Sequence, residues 1–134
     1  MTTKERQSRL HEEAIEWASK EMRDLMDRSE HGIYIYACDT HTVCNENFAK
    51  MLGLGSPKEW GKTDDESLVD RFLTPGSAAK VVDTYWQAME DRLPSSVDVT
   101  LKPKGGGKLR ANIVLLPFRY KDQDMALHII TPKE

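Results

Sequence analysis

The spacing of the apolar residues changes at Gly32, and that change limits what the chain can fold into. Upstream, no Pro or Gly interrupts residues 1–31, and Ile15, Ala18, Met22 and Leu25 recur at intervals of three, four and three. Leu10, Ala14, Trp17 and Met26 widen the stripe. This is the seam of an amphipathic helix or a short coiled coil. Thr2 followed by Glu5 supplies a capping box at its start, so one helix of about seven turns is predicted up to Gly32. An apolar seam on a charged helix needs a partner. It can be the chain's own sheet, a second copy of the chain, or both, since two heptads alone make a marginal coiled coil.

Downstream the spacing becomes that of strands. Gly32-Ile33-Tyr34-Ile35-Tyr36-Ala37-Cys38 is β-branched and aromatic, Asp39-Thr40 is a turn, and His41-Thr42-Val43-Cys44 completes a hairpin. Asn45 then caps a short helix carrying Phe48, Met51 and Leu52 on one face, and Gly53 ends it. Ser56-Pro57-Lys58-Glu59 opens a second short helix, and Thr63 with Glu66 repeats the capping pattern ahead of Ser67–Leu73. Thr74-Pro75 starts the longest helix of this part. It bears Val81, Val82, Tyr85, Trp86, Met89 and Leu93, a stripe too broad to be left in water, so Tyr85 and Trp86 are expected in the core. After Pro94 three strands follow: one through Val97, Val99 and Leu101, one through Leu109, Ala111, Ile113 and Leu115, and one over Met125–Ile130. Gly105-Gly106-Gly107 and Lys121-Asp122-Gln123-Asp124 are the turns between them. Strands clustered around a helical insert give an α+β domain with an antiparallel sheet.

Composition excludes several functions. The 134 residues suit one domain. With 19 basic against 22 acidic side chains, no field of one sign draws in nucleic acid or an anionic membrane. No stretch approaches a spanning helix or a signal peptide, so a cytoplasmic protein is expected. The charge is uneven: 14 charged residues fall in residues 1–31 and 27 in the other 103. Residues 1–31 therefore read as a dimerisation helix and residues 32–134 as the globular domain.

Asn45-Glu46-Asn47-Phe48-Ala49-Lys50-Met51-Leu52-Gly53 followed by Ser56-Pro57-Lys58-Glu59 resembles the Asn-x-x-Phe-x-x-x-Leu-Gly helix and its successor in PAS sensory domains. Phe72-Leu73-Thr74-Pro75 resembles the family's entry to its long helix, Gly105-Gly106-Gly107 stands at its Lys-Asp-Gly hairpin, and Ile129-Ile130-Thr131 at its Asp-Ile-Thr. The acidic residue often found after that Pro, and the Asp of the last motif, are missing here. The resemblance covers Gly32 to Thr131. It implies a five-stranded antiparallel sheet of order 2-1-5-4-3, short helices over one face around a small cavity, and sensing or partner binding in place of catalysis.

The family's matching position puts Leu127 inward, and alternation then brings Met125 and Ile129 with it, beside Val97, Val99, Leu101, Ala111, Ile113 and Leu115. A ligand pocket is expected from Ile33, Ile35, Phe48, Phe72 and Trp86 on the early strand and the helices. The late strands add Leu101, Ala111, Ile113, Leu115, Met125 and Leu127. The outer face would carry Tyr34 or Tyr36, Asn112, Val114, Leu116, His128 and Ile130. It is too apolar for open water, so the N-terminal helix or a second subunit should cover it. The expected dimer or interaction surface is Ile15, Ala18, Met22 and Leu25 on the helix with Val114, Leu116, His128 and Ile130 on the sheet.

The resemblance also bears on cofactors. Flavin-binding PAS domains carry an Asn-Cys-Arg run where this chain has Asp70-Arg71-Phe72-Leu73, and polar strand residues where it has Leu101 and Ala111. A flavin adduct is disfavoured. Haem is disfavoured because Thr74–Leu93 holds no His, and a cinnamoyl chromophore because no Cys follows the short helices. No metal-ligand spacing is present. His11 and His31 are expected in solvent, His41 in a turn, and His128 facing outward under the helix. Cys38 and Cys44 flank the hairpin as two inert thiols.

The sequence therefore reads as a PAS-type sensory or signal-transduction domain, not an enzyme. It would bind a small apolar ligand or a signalling partner protein, form a homodimer, and report a shift of the sheet through the helix lying on it. The alternative is a small cone-fold enzyme like ketosteroid isomerase, which needs an acid or base inside an apolar pocket. The inward positions as assigned are all apolar and offer none. The chain ends three residues after Thr131, so the output is expected from a partner or from a longer chain.

Overall fold

The computed structural model describes residues 2–36, 42–60 and 71–133. Helix α1 (Thr3–Glu21) begins with the predicted capping box: Thr2 Oγ accepts from Glu5 N, and the Glu5 carboxylate accepts from Thr2 N. The predicted single helix bends at Met22 (φ −101°, ψ 6°) into a short α2 (Arg23–Arg28). Met22 N still donates to Ala18 O and Met26 N to Met22 O, so the hydrogen-bond ladder crosses the bend. The bend turns Met26 into the cluster under α1, where Met26 is buried with Ala14 and Ala18.

Strands β1 (Gly32–Tyr36) and β2 (Thr42–Cys44) form the first hairpin. Residues 37–41, with Cys38 and His41, lie outside the described residues, as does the capping pattern at Thr63 and Glu66. Asn45 caps α3 (Glu46–Met51), and α4 (Pro57–Trp60) follows. Gly53 ends α3 at φ 74° with its Cα so close to the Lys104 carbonyl that a Cβ would sit 2.3 Å from that oxygen, which only glycine allows. Helix α5 (Pro75–Asp91) starts at Thr74-Pro75 as predicted. Ser77 Oγ accepts from Thr100 N, which ties the start of α5 to the edge strand. Strands β3 (Ser95–Leu101), β4 (Leu109–Tyr120) and β5 (Gln123–Pro132) complete an antiparallel sheet of order β2-β1-β5-β4-β3. This is the order that the resemblance implies.

Two apolar clusters lie on opposite faces of that sheet. The inner one joins α3 and α5 to Tyr34, Cys44, Val99, Leu101, Ala111, Ile113, Leu115, Ala126 and Ile130. The outer one joins α1 and α2 to Ile33, Ile35 and Met125, with Val43, Phe118, Tyr120 and Leu127 partly buried beside them.

The predicted faces hold for β3 and β4 and are reversed for β1 and β5. Lys121 and Asp122 both have positive φ (47° and 64°), a two-residue hairpin turn, and Tyr120 pairs with Gln123. Leu115 therefore pairs with His128 and Ile113 with Ile130. Directly opposed residues share a face. Inward Ile113 and Leu115 thus bring His128 and Ile130 inward and send Met125, Leu127 and Ile129 outward. The same pairing of β1 with β5, Tyr34 to His128 and Ile35 to Leu127, places Tyr34 and Tyr36 inside and Ile33 and Ile35 outside.

Candidate functional site

Cross-strand pairing builds a cluster of rings at the centre of the inner face. Tyr34 on β1 stands opposite His128 on β5, and their rings stack with centroids 3.9 Å apart and planes 11° apart. Phe48 from α3 stacks on the other partner, Tyr34, at 4.8 Å. Tyr85 from α5 lies 6.5 Å from the His128 ring and within 10° of parallel to it, and Tyr36 meets Tyr85 edge-on at 5.4 Å. Ala126, opposite Tyr36, has almost no side chain, which leaves width for these rings.

His128 is the chemically distinctive member. Only 2% of it is exposed, and its Nδ1 has no hydrogen-bond partner among the described residues. Burial, the larger cause, pushes its pKa down to about 3, while backbone hydrogen bonding at Ala126 and Tyr34 opposes the shift. The ring is thus neutral at physiological pH. Burial raises the Tyr34 hydroxyl well above its ordinary value and pushes the Cys44 thiol up to about 12, so neither neighbour ionises.

The site is held from both sides. Asn45, 2% exposed, uses its whole amide. Its Oδ1 accepts from Ile33 N and Phe48 N, and its Nδ2 donates to Met26 O and His31 O, all at 2.9–3.0 Å. One side chain therefore joins the end of α2, the start of β1 and the turn of α3 that carries Phe48. Asn47 Nδ2 adds a bond to Ser29 O, and His31 Nδ1 lies 3.2 Å from Thr131 Oγ1.

Phe48, Phe72, Leu101, Ala111, Ile113 and Leu115, expected in the pocket, all lie in the inner cluster. Ile33, Ile35, Met125 and Leu127 do not: the register puts them on the outer face, against α1 and α2. Trp86 is 63% exposed, because α5 turns Val81, Tyr85 and Ala88 to the sheet and leaves Val82 and Trp86 outside. Of the expected interaction residues, Ala18 is fully buried and Ile15 and Met22 partly so within the chain's own outer cluster, whereas Leu25 is exposed. Val114 and Leu116 keep their outward, half-buried positions. His128 and Ile130 are inside, against expectation. His11, expected in solvent, is buried.

The sequence reading missed Tyr34, Tyr85 and Asn45 as a unit. The signal for the first was present. A connection of two or of four residues between β4 and β5 gives the same parity, so inward Leu115 already required His128 inside, with Tyr34 against it.

A buried base corrects the premise that nothing inside could act as one, yet it does not supply proton transfer. A group whose pKa lies several units below the working pH is a weak proton acceptor. It remains a good hydrogen-bond acceptor. No three His, Cys, Asp or Glu among the described residues could hold a metal, and no described helix is long and apolar enough to cross a membrane.

No family model and no curated protein matches the chain. Solved structures do. A PAS domain from a two-component sensor histidine kinase superposes with a TM-score of 0.66 at 8% identity, covering 88% of this chain and 98% of that one. The PAS domain of an HTR-like protein from Haloarcula marismortui gives 0.66 at 18% identity, covering 93% and 99%. A LOV protein from Rhodobacter sphaeroides gives 0.66 at 15% identity, covering 87% and 67%. Many further PAS domains match as well. The chain has the PAS fold.

Proposed function

We propose that this PAS-fold chain is a sensory or signal-transduction module that takes a small molecule on the inner face of its sheet and reports its presence through the N-terminal helices. The observation that carries this reading is the unpartnered Nδ1 of His128, buried among Tyr34, Phe48 and Tyr85 in an otherwise apolar core. An unsatisfied buried polar atom costs about 1–3 kcal/mol, and a ligand that bonds it recovers that cost. The histidine kinase and HTR-like proteins whose PAS domains share this fold are consistent with a signalling role.

The output route follows from contacts. A ring displaced at His128 presses on Tyr34 and Phe48. Phe48 is the residue whose backbone N–H donates to Asn45, and Asn45 in turn holds Met26 O at the end of α2. The second part of the reading is a homodimer. Leu25, 59% exposed on α2, and the half-buried Val114 and Leu116 are apolar groups on the outer side available to a second copy once α1 has covered β1 and β5. The working place is the cytoplasm.

Native mass spectrometry of the purified chain, with an absorption spectrum, tests the reading. A small non-covalent adduct released on denaturation is the expected result. A bare mass that stays bare after soaking in a small-molecule library would contradict it. Light scattering tests the dimer: twice the chain mass is expected for the full chain and the mass of a single shortened chain for residues 30–134, and a monomer in both removes the dimer.

A further inference from the structure

We propose that the exposed face of α5 docks a basic amphipathic helix of a partner protein, with Trp86 as the apolar anchor and Asp83 and Glu90 as the charge partners.

Helical spacing defines the face. Ser77, Val81, Tyr85 and Ala88 are buried, which turns the opposite arc of α5 outward. On that arc Trp86 is 63% exposed and Val82, four residues before it, 39%. Ala79 is exposed a further three residues back. Intervals of three and four are those of a helix–helix seam, and the small Ala79 lets a second backbone come close.

The surroundings of Trp86 are two-sided. Residues three and four apart meet on a helix surface, so its neighbours are Val82, Asp83, Met89 and Glu90. The apolar pair lies on the side nearer the sheet, with Met89 packed against the inner cluster. The acidic pair lies on the far side and is exposed. The buried ring of Tyr85 meets Trp86 edge-on at 5.4 Å. The indole is thereby held in place and loses little freedom when a partner covers it, the condition for a strong interface anchor.

Charge selects the occupant. Asp83 and Glu90 make no ion pair among the described residues. An Arg on the docked helix satisfies both features at once, because its guanidinium lies flat on an indole face while its N–H groups reach a carboxylate. A second copy of the chain does not fit, since a symmetric contact through this face would bring two acidic edges together. An anionic membrane or nucleic acid is repelled by the same two carboxylates.

The experiment titrates two synthetic amphipathic helices into the full chain by calorimetry. They share their apolar positions and carry Arg or Glu at the flanking ones. The Arg helix is expected to bind at least about tenfold more tightly than the Glu helix. Trp86→Ala should weaken the Arg helix by about tenfold or more. Asp83→Lys with Glu90→Lys should reverse the preference, which general apolar adhesion would not do. All three positions are exposed, so an unchanged unfolding midpoint is expected in both variants. The indole N–H resonance of Trp86 in the wild-type chain, shifted by the Arg helix, gives a readout that needs no variant. Equal binding of the two helices, a preference that charge reversal leaves unchanged, or binding of neither would overturn the proposal. Self-association of the chain that Trp86→Ala abolishes would overturn it as well, by putting a second copy on this face.

Discussion

The two faces of the sheet are both covered by apolar clusters, the inner one the larger, and they differ in what they leave unsettled. The outer face is closed by the chain's own helix: Ala14 and Ala18 are small enough to bring α1 close, Ile33, Ile35 and Met125 fill the contact, and Trp17 stacks on Tyr120 at 4.2 Å. None of these side chains needs a hydrogen bond except through an exposed edge. The inner face has a larger helical cover from α3 and α5, yet it holds the one buried side-chain nitrogen without a partner among the described residues. A purely structural core would be cheaper with leucine at that position. The difference separates a face made for packing from a face with an open valence.

Breaking the link between the faces should have the largest effect. Asn45→Ala leaves Met26 O, His31 O, Ile33 N and Phe48 N without their partner, and denaturant unfolding should show a loss of about 3 kcal/mol or more. Wild-type stability should survive if the four bonds are replaced by water, which would contradict the role given to Asn45.

Acid should distinguish the faces next, because among the described residues the strongly shifted base, His128, stands on the inner one. The folded pKa of His128, about 3, lies below its ordinary value of 6.5. Below 6.5 the unfolded chain takes up a proton that the folded chain refuses, so stability falls as the pH drops from about 6.5 toward 3 and does not respond above that window. Each unit is worth about 1.4 kcal/mol, hence a loss of about 2 kcal/mol between pH 7 and pH 5. In His128→Leu this part of the slope should vanish. An unchanged slope in that variant would place His128 in solvent.

On the outer face, Trp17→Ala removes a half-exposed stacking partner and should cost about 1–2 kcal/mol, with no change in the acid slope. The smallest effect belongs to the turn that sets the face of β5. Lys121 and Asp122 both occupy positive φ. Lys121→Asn with Asp122→Gly suits that geometry and should raise stability by about 0.5–1 kcal/mol while leaving the site unchanged.

Most of the architecture was legible in the sequence because local chemistry agreed with the global fold. The capping box at Thr2, Asn45 as a cap, Thr74-Pro75 as a start and the alternation in β3 and β4 all occur as the residues predict. The faces of β1 and β5 were not legible from composition, since Ile33-Tyr34-Ile35-Tyr36 and Met125–Ile130 are apolar at nearly every position and their one ionisable imidazole, His128, lies inside and so marks the wrong face. Only pairing fixes them. The position matched to Leu127 in the family gave the wrong parity, and the hairpin at Lys121-Asp122 gives the right one. Trp86 misled for a related reason: α5 is apolar on more than half of its circumference, and which arc meets the sheet depends on Ser77 bonding to Thr100, a contact 23 residues away. Asn45 was visible as a cap of Phe48 N, but its bonds to Met26 and His31 are long-range and leave no periodic trace.

The central claim is that a change at His128 reaches the N-terminal helices through Tyr34, Phe48 and Asn45. Hydrogen exchange followed by mass spectrometry on the wild-type chain and on the His128→Leu variant tests it directly. The expected result is altered protection in peptides spanning Arg23–Arg28 and the end of α1, together with α3, and little change in β3. Protection that changes only around β5 and α5, with α1 and α2 untouched, would contradict the claim and leave a binding site without an output.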